Sequence, residues 1–460
     1  MKRFLFLYIL CACLWGNAQP HQEETGVLTD SIPVTGAAGE SFAAYLPTGY
    51  QNNQPSPIVF IFDPAGRGKT GIQPFISIAE KYGYILICSN NSRNGPYAPN
   101  LEIADRLFKT VFAKYNVNSD RIYTAGFSGG SRLAGTIAVL SGAIQGVIAC
   151  GAGFAQYPLY FPSKNSHFSY LGIVGNKDMN YREMHKTKEW LESLQISNEL
   201  IVFEGEHQWP PPEVILRAFN WLEEEAFRKG IKKENKLQRN ENFSEVLSRA
   251  IDFEKEDKRV DAARELNRLI KYYPDLIATD SLKKRLKKLK RAKSYRKEKA
   301  LLNNVATLED TLNHKMKQKF ALELSLGHSP DKFQWWKETI RELNEKYSSH
   351  KETEYQLMAF RLKRSLFAMA GESMDSFLRE NKVKEQEYTE ELLLVIAPDS
   401  PYTHYQLARK YAAWNKNPSA LDHLERVLQL GWTDKDFIRN TVEFQQIKKL
   451  KDFQDLLNRY

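Results

Sequence analysis

Cysteine is scarce in this chain, four in 460 residues, and Cys11 and Cys13 both fall within the first eighteen. That leaves Cys88 and Cys150, each closing an apolar run that reads as a buried strand. In the sheet order expected below those strands are not neighbours. The two residues therefore read as buried free thiols acting as small hydrophobes, and a disulfide-stapled scaffold is excluded. Long apolar runs are wanting too. The run in MKRFLFLYILCACLWGNA falls short of the roughly 20 residues that span a bilayer. Lys2 and Arg3 precede it, and Gly16 and Ala18 stand before Gln19, so residues 1–18 read as a secretory signal cleaved after Ala18, and the protein as secreted or periplasmic. Leu10-Cys11-Ala12-Cys13 faintly matches a lipobox, and lipid anchoring at Cys13 is the alternative. Glycine nearly vanishes beyond Lys229, where only Gly230, Gly327, Gly371 and Gly431 of the 25 remain. No nucleic-acid recognition motif accompanies the net charge of +9, so nucleic acid is not an expected partner of an exported chain.

What is present begins with length: 460 residues at roughly 150 per domain imply two or three domains. The stretch DRIYTAGFSGG, Asp120 to Gly130, reads as a buried strand, Ile122 to Ala125, a glycine-flanked turn with Ser128 at its apex, and a helix starting near Arg132. A serine hydroxyl is a poor nucleophile at neutral pH. It needs to be lifted clear of the backbone, beside a base and beside amide donors for an oxyanion. Glycines on both sides permit that sharp turn. A glycine-rich turn with a helix-capping serine is the alternative, but the strand before and the small-residue helix after favour a nucleophile.

Strands and helices alternate from Ile58 to Phe227, which predicts a mostly parallel sheet with helices on both faces, an α/β class fold. The run Ile58 to Phe62 is continuously apolar, as in strands covered on both sides. Leu171-Gly-Ile-Val174 leads into Gly175-Asn-Lys-Asp178, and Leu200 to Phe203 leads into Glu204-Gly-Glu-His207. Asp178 and His207 thus stand just past the carboxyl ends of strands. The order Ser128, Asp178, His207 is the nucleophile, acid, base order of α/β-hydrolases. His207 would take the serine proton while Asp178 holds its tautomer. His167 and His185 lie in a loop and on a helix, and Glu183 or Glu206 are the substitutes for the acid.

With those residues in hand, the first half resembles a secreted α/β-hydrolase esterase of the feruloyl esterase and polyhydroxybutyrate depolymerase type. The matching segments are Tyr45-Leu-Pro47 with Gly49-Tyr50, Asp120-Arg-Ile-Tyr123, Gly126 to Gly130, Gly175 with Asp178, and Glu206-His-Gln-Trp-Pro210. They cover about residues 27 to 226. Where that family has His-Gly after a strand, this chain has Asp63-Pro-Ala-Gly-Arg-Gly68. Despite that departure, the backbone amides of Ala65 or Gly66 together with Gly129 are the expected oxyanion hole, since the hole needs N–H groups and not particular side chains. No metal and no cofactor is expected. No long lid insertion separates Cys150 from Tyr170; the short loop carries Phe154, Tyr157, Tyr160 and Phe161, and the loop from Asn90 to Gly95 opens at another strand's carboxyl end. Phe154, Tyr157 and Trp209 are the candidate substrate contacts, with ordinary loop packing as the alternative.

Beyond Lys229 the pattern is helical to the end, with breaks near Pro274, Pro330 and Pro398. Segments 243–274 (Ala250, Phe253, Ala262, Leu266, Leu269, Pro274) and 402–432 (Leu407, Ala408, Tyr411, Ala420, Leu424, Val427) resemble tetratricopeptide repeats. A non-repetitive bundle would show the same periodicity. Residues 283–299 hold eleven Lys or Arg and one acid, Glu298, with Leu282, Leu286 and Leu289 as an apolar stripe. The basic face reads as solvated, with an acidic glycan or anionic membrane surface as a possible partner.

The expected organisation is a signal peptide (1–18), an α/β-hydrolase domain (19–228) and an all-α, tetratricopeptide-like helical domain (229–460). The expected activity is hydrolysis of a small-molecule, glycan or polymer ester by a Ser-His-Asp triad, with the helices binding a protein partner or the substrate-bearing surface. A serine peptidase of the same fold, and an envelope scaffold with a vestigial hydrolase half, are the competing readings.

Overall fold

The computed structural model describes residues 24–276 and 279–460. The signal and lipobox readings, with Cys11 and Cys13, lie outside the described residues. Packing divides the chain into two compact units, one through Ala300 and one from Leu301.

The first unit is built on an eight-stranded sheet of order β1-β2-β4-β3-β5-β6-β7-β8. Its strands are β1 (Leu28–Pro33), β2 (Ser41–Tyr45), β3 (Ser56–Phe62), β4 (Ile85–Ser89), β5 (Val117–Phe127), β6 (Gly146–Cys150), β7 (Ser169–Gly175) and β8 (Asn198–Phe203). The β1–β2 and β2–β4 pairs are antiparallel and all the others parallel. Helices α1 (Gly68–Ile72), α2 (Ile76–Tyr82), α3 (Tyr97–Lys114), α4 (Gly129–Ser141), α5 (Tyr181–Ser193) and α6 (Pro212–Arg228) alternate with the strands. This is the α/β-hydrolase arrangement that the alternation predicts. The continuous apolar run of β3 has a simple cause: Val59 and Ile61 enter one core, while Ile58, Phe60 and Phe62 enter the other, on the opposite face. Cys88 in β4 and Cys150 in β6 are buried and free, and β3 and β5 lie between their strands. Burial pushes both thiols well above their usual pKa.

Helix α6 is apolar on more than one side. Ile215, Ala218, Phe219 and Leu222 join the sheet core, with Phe219 edge-on to Tyr84 at 5.1 Å between ring centres. Phe219→Ala here would cost about 3–5 kcal/mol. The other side of α6 meets two further helices, α7 (Lys236–Lys255) and α8 (Arg259–Tyr272), and α8 packs in turn on α9 (Asp280–Arg291). Trp221 meets Tyr272 edge-on at 5.9 Å, Glu224 accepts from Arg239 at 2.9 Å, and Arg217 donates to Glu265 at 2.6 Å. Arg268 of α8 also reaches Glu199 of β8 at 3.2 Å. Burial alone would raise the Glu265 carboxyl, but Arg268, Arg217 and Arg249 outweigh it and bring its pKa down to about 2. The composition changes at Lys229, whereas this packing runs on through α9.

Along α9, Leu282 and Leu289 are buried and Leu286 packs against the same core. Lys284, Lys287, Lys288 and Lys290 are exposed and have no ion-pair partner among the described residues.

The second unit is helical: α10 (Lys293–Leu326, which begins in the first unit), α11 (Gln334–Glu342), α12 (Thr353–Glu380), α13 (Val383–Ile396), α14 (Pro401–Ala413), α15 (Asn417–Gln429), α16 (Lys435–Arg439) and α17 (Lys451–Arg459). None of the described helices is long and apolar enough to cross a membrane. One core gathers Trp336, Met358, Leu362 and Leu366, and another Leu424, Val427, Phe444 and Phe453.

Three helix pairs, α7–α8, α12–α13 and α14–α15, share one turn. A left-handed residue stands at Asp257, Asn381 and Asn415, with φ of 60°, 53° and 56°. The amide of the next residue then reaches back: Lys258 to Phe253 O (2.8 Å), Lys382 to Phe377 O (3.0 Å), Lys416 to Tyr411 O (2.8 Å). This closes the last turn as a Schellman motif. Each lysine ammonium lies about 6 Å from the ring of the aromatic residue whose carbonyl its amide bonds. Pro274, Pro398 and Trp432 follow at one common offset from those lysines. The 371–398 pair escapes the small-residue pattern because Met374, Gln386 and Glu390 occupy the positions of Ala250, Ala262 and Leu266.

Candidate active site

β5 ends at Phe127, and α4 begins at Gly129. Between them Ser128 adopts φ 53°, ψ −119°, a conformation that strains any residue with a side chain. The flanking glycines are required by contact. A Cβ on Gly126 would lie 2.2 Å from Gly130 O, and one on Gly130 would lie 2.0 Å from Phe62 O of the adjoining strand. The Ser128 amide donates to Cys150 O of β6 at 2.8 Å, which fixes the apex against a second strand.

Asp178 and His207 come from the loops after β7 and β8. Asp178 is 1% exposed, and its Oδ1 accepts from the Asn180 amide at 2.8 Å. Asn180 in turn donates to Gly151 O at 2.7 Å. His207 Nδ1 stands 2.9 Å from Asp178 Oδ2 and 3.0 Å from Oδ1, and its Nε2 stands 2.9 Å from Ser128 Oγ. With the acceptor-only carboxylate on one side, the neutral ring carries its proton on Nδ1 and turns the Nε2 lone pair to the serine hydroxyl. The ring lies against Phe127 at 4.6 Å between centres. A hydroxyl so placed can lose its proton to Nε2 as it attacks an electrophilic carbon, and the imidazolium so formed stays beside a carboxylate. Glu183 is committed elsewhere, to Arg132 at 2.7 Å and to the Gly153 amide at 2.9 Å.

The other candidates divide. Phe154 is not a substrate contact: it is 2% exposed, stacked on Tyr170 at 5.0 Å and edge-on to Trp190 at 5.8 Å, and so belongs to the core. Tyr157 is 58% exposed and forms an open cluster with Tyr97 and Tyr160, each 5.8 Å away. Trp209 is half-buried, faces Phe75 and Phe127 at 5.8 and 5.5 Å, and donates from Nε1 to Asp63 Oδ2 at 2.9 Å. That bond ties the His207 loop to the end of β3.

Gly129 opens α4, where first-turn amides have no acceptor within the helix. The loop after β3 is different. Ala65 N–H donates to Asp63 Oδ1 (2.9 Å), Gly66 N–H to Asp63 O (3.1 Å), Arg67 N–H to Asp63 Oδ1 (3.3 Å) and Gly68 N–H to Asn90 Oδ1 (2.9 Å). Pro64 has no N–H. Both expected partners of Gly129, the Ala65 and Gly66 amides, are therefore engaged inside their own loop. Burial alone would raise the Asp63 carboxyl, but bonds from Arg67, Trp209 and Ala65 outweigh it and lower its pKa. Asp63 is the organising residue that the sequence reading passed over; its position directly after an apolar strand was the available signal. Among the described residues no group of three or more His, Cys, Asp or Glu is gathered as metal ligands would be.

No family model and no curated protein matches the chain. Solved structures similar to it include S-formylglutathione hydrolase from Staphylococcus aureus, with 15% identity over 42% of this chain and 94% of that one and a TM-score of 0.35. An esterase from Pyrobaculum calidifontis has 15% identity over 40% of this chain and 78% of that one, with a TM-score of 0.34. A fungal esterase from Rhizomucor miehei has 15% identity over 42% and 81%, with a TM-score of 0.35. The strand order and the strained Ser128 turn are what make the first part of this chain an α/β-hydrolase fold.

Proposed function

We propose that the protein is a serine hydrolase that cleaves carboxylic esters through an acyl-enzyme on Ser128. The observation that carries this reading is the continuous relay of Ser128 Oγ to His207 Nε2 at 2.9 Å and His207 Nδ1 to Asp178 at 2.9 Å, mounted on a turn whose strain has no evident structural use. Ser128 Oγ attacks the acyl carbon and its proton passes to His207 Nε2. The C–O bond of the ester then breaks, and the alcohol leaves with that proton. Water, deprotonated by His207, attacks the acyl-enzyme, releasing the acid and restoring the serine. In this proposal residues 1–18 export the chain. The helical hairpins act as tetratricopeptide-like supports for a partner or a substrate-bearing surface, and the exposed lysines of α9 face an anionic surface.

The test is labelling by a fluorophosphonate together with a panel of ester and peptide substrates. The wild type should label at Ser128 and turn over esters, and Ser128→Ala should do neither. Labelling that persists in Ser128→Ala would remove the reading, and turnover of peptides in preference to esters would reassign it to a peptidase.

A further inference from the structure

An acyl-transfer site needs donors for the oxyanion of the tetrahedral intermediate, and one N–H rarely suffices. Gly129 can supply one. The loop after β3 cannot supply the second from Ala65, Gly66, Arg67 or Gly68, because all four amides are already donated within 3.3 Å to Asp63 or Asn90.

One side chain lies against Gly129. At the point where a Cβ on Gly129 would sit, the three nearest atoms belong to Asn94: Oδ1 at 1.8 Å, Cγ at 2.8 Å and Nδ2 at 3.5 Å. The side-chain amide of Asn94 thus fills the space that glycine leaves open beside the residue following the nucleophile. It makes no hydrogen bond among the described residues, and rotation about Cβ–Cγ exchanges its oxygen and nitrogen, so an N–H can be turned to a ligand there. Its backbone, by contrast, is held from several sides. The Asn94 amide donates to Pro64 O at 2.8 Å. Asn100 of α3 accepts from the Arg93 amide at 2.9 Å and donates to Arg93 O and Pro96 O, each at 2.9 Å. The Asn94 side chain is exposed and its amide is held by no partner, so the anchored backbone fixes where the group stands beside Ser128 while the bound substrate sets which way its N–H turns.

We infer that the Asn94 side-chain amide is the second oxyanion donor, acting with the Gly129 backbone N–H. The inference rests on the hydrolase reading above and assigns it a catalytic residue. The glycine at 129 then has a role of its own, to admit that amide.

The test measures kcat and KM for a small chromogenic ester in the full chain with Asn94→Ala, Asn94→Asp, Gly129→Ala and the Asn94→Ala/Gly129→Ala pair, alongside Ser128→Ala. Asn94→Ala should lower kcat by about 10²–10³-fold with KM changed by less than about threefold. Asn94→Asp, which keeps the shape and replaces the donor by an anion, should fall at least as far. Gly129→Ala should displace the amide and fall comparably, and the pair should lose little more than either single variant, since they remove one interaction. Thermal unfolding should be unchanged in both Asn94 variants. A kcat for Asn94→Ala within about threefold of wild type, while Ser128→Ala is inactive, overturns the inference and leaves the hydrolase reading in place, with the α4 amides forming the hole alone. A loss confined to KM, or one that tracks a lowered melting temperature, also overturns it, by making Asn94 a binding or structural residue. Activity retained in Ser128→Ala overturns both readings together.

Discussion

β3 and β5 are parallel neighbours, paired from Ile58 with Ile122 to Phe62 with Gly126, and they end side by side. Their ends behave in opposite ways. After β3 the chain folds back on Asp63, which takes the amides of Ala65, Gly66 and Arg67, and Asn90 from the loop after β4 takes that of Gly68. After β5 the chain is strained, with Ser128 at positive φ, and the first turn of α4 keeps donors without helical partners. The difference sets a loop whose hydrogen bonds are satisfied beside one that keeps donors free for a ligand. The closed loop serves as a footing, joined through Trp209 to the His207 segment, while the open one carries Ser128, the proposed nucleophile.

That contrast can be broken most sharply at the apex. Ser128→Ala should reduce kcat on the order of 10⁶-fold while leaving the melting temperature nearly unchanged; a large change in stability with activity retained would mean that the β5 turn is structural after all. Next, Asp178→Asn should fold normally and lose roughly 10⁴-fold in kcat, because an asparagine leaves the imidazole in the wrong tautomer. Steady-state kinetics with circular dichroism on the same sample checks both halves of that statement.

At the closed end the effects should be smaller and fall on stability. Asp63→Asn removes a buried carboxylate that accepts from Trp209, Arg67 and the Ala65 amide, and about 1–3 kcal/mol of unfolding free energy should go with it. The sign with pH follows from the lowered pKa of Asp63. Its stabilisation is fully present above the ordinary value of 3.8 and is lost as pH falls through the lower folded value. Urea melts of wild type and variant should therefore converge below about that pH; a gap that persists at lower pH would deny the carboxylate its role. The smallest effect expected is a gain. Ser128→Gly should abolish turnover yet raise stability by about 1 kcal/mol, since glycine adopts the φ of 53° without strain. No gain in a denaturant titration would mean that neighbouring contacts offset the strain.

Much of this site was legible because its signals are local. Ser128 follows a buried strand and precedes a small-residue helix, and Asp178 and His207 each stand a few residues past a strand, so chain order and strand ends suffice to name them. The second donor was not legible, because it depends on where Asp63 sends its carboxylate and on the approach of Asn94 from a different loop. Phe154 misled for a related reason: a loop aromatic looks alike in sequence whether it faces a substrate or, as here, Tyr170 and Trp190. Among the helices, small residues revealed the pairs at 243–274 and 402–432. The α12–α13 pair carries larger residues at those positions, yet Phe377, Lys382 and Pro398 keep the spacing of Phe253, Lys258 and Pro274. The turn, rather than the helix interface, was the more faithful signature.

The two free thiols offer a clock for the same sheet. Cys88 and Cys150 are wholly buried, and burial keeps both protonated far beyond neutral pH. Alkylation requires a solvated thiolate, so a reagent added to the folded protein can modify them only in molecules whose sheet has opened. Cys150 reports this for the apex itself, since its carbonyl holds the Ser128 amide at 2.8 Å. The rate at which iodoacetamide consumes Cys150 then counts openings of the support beneath Ser128, and its comparison with Cys88 shows whether the strands flanking β3 and β5 part together or in turn.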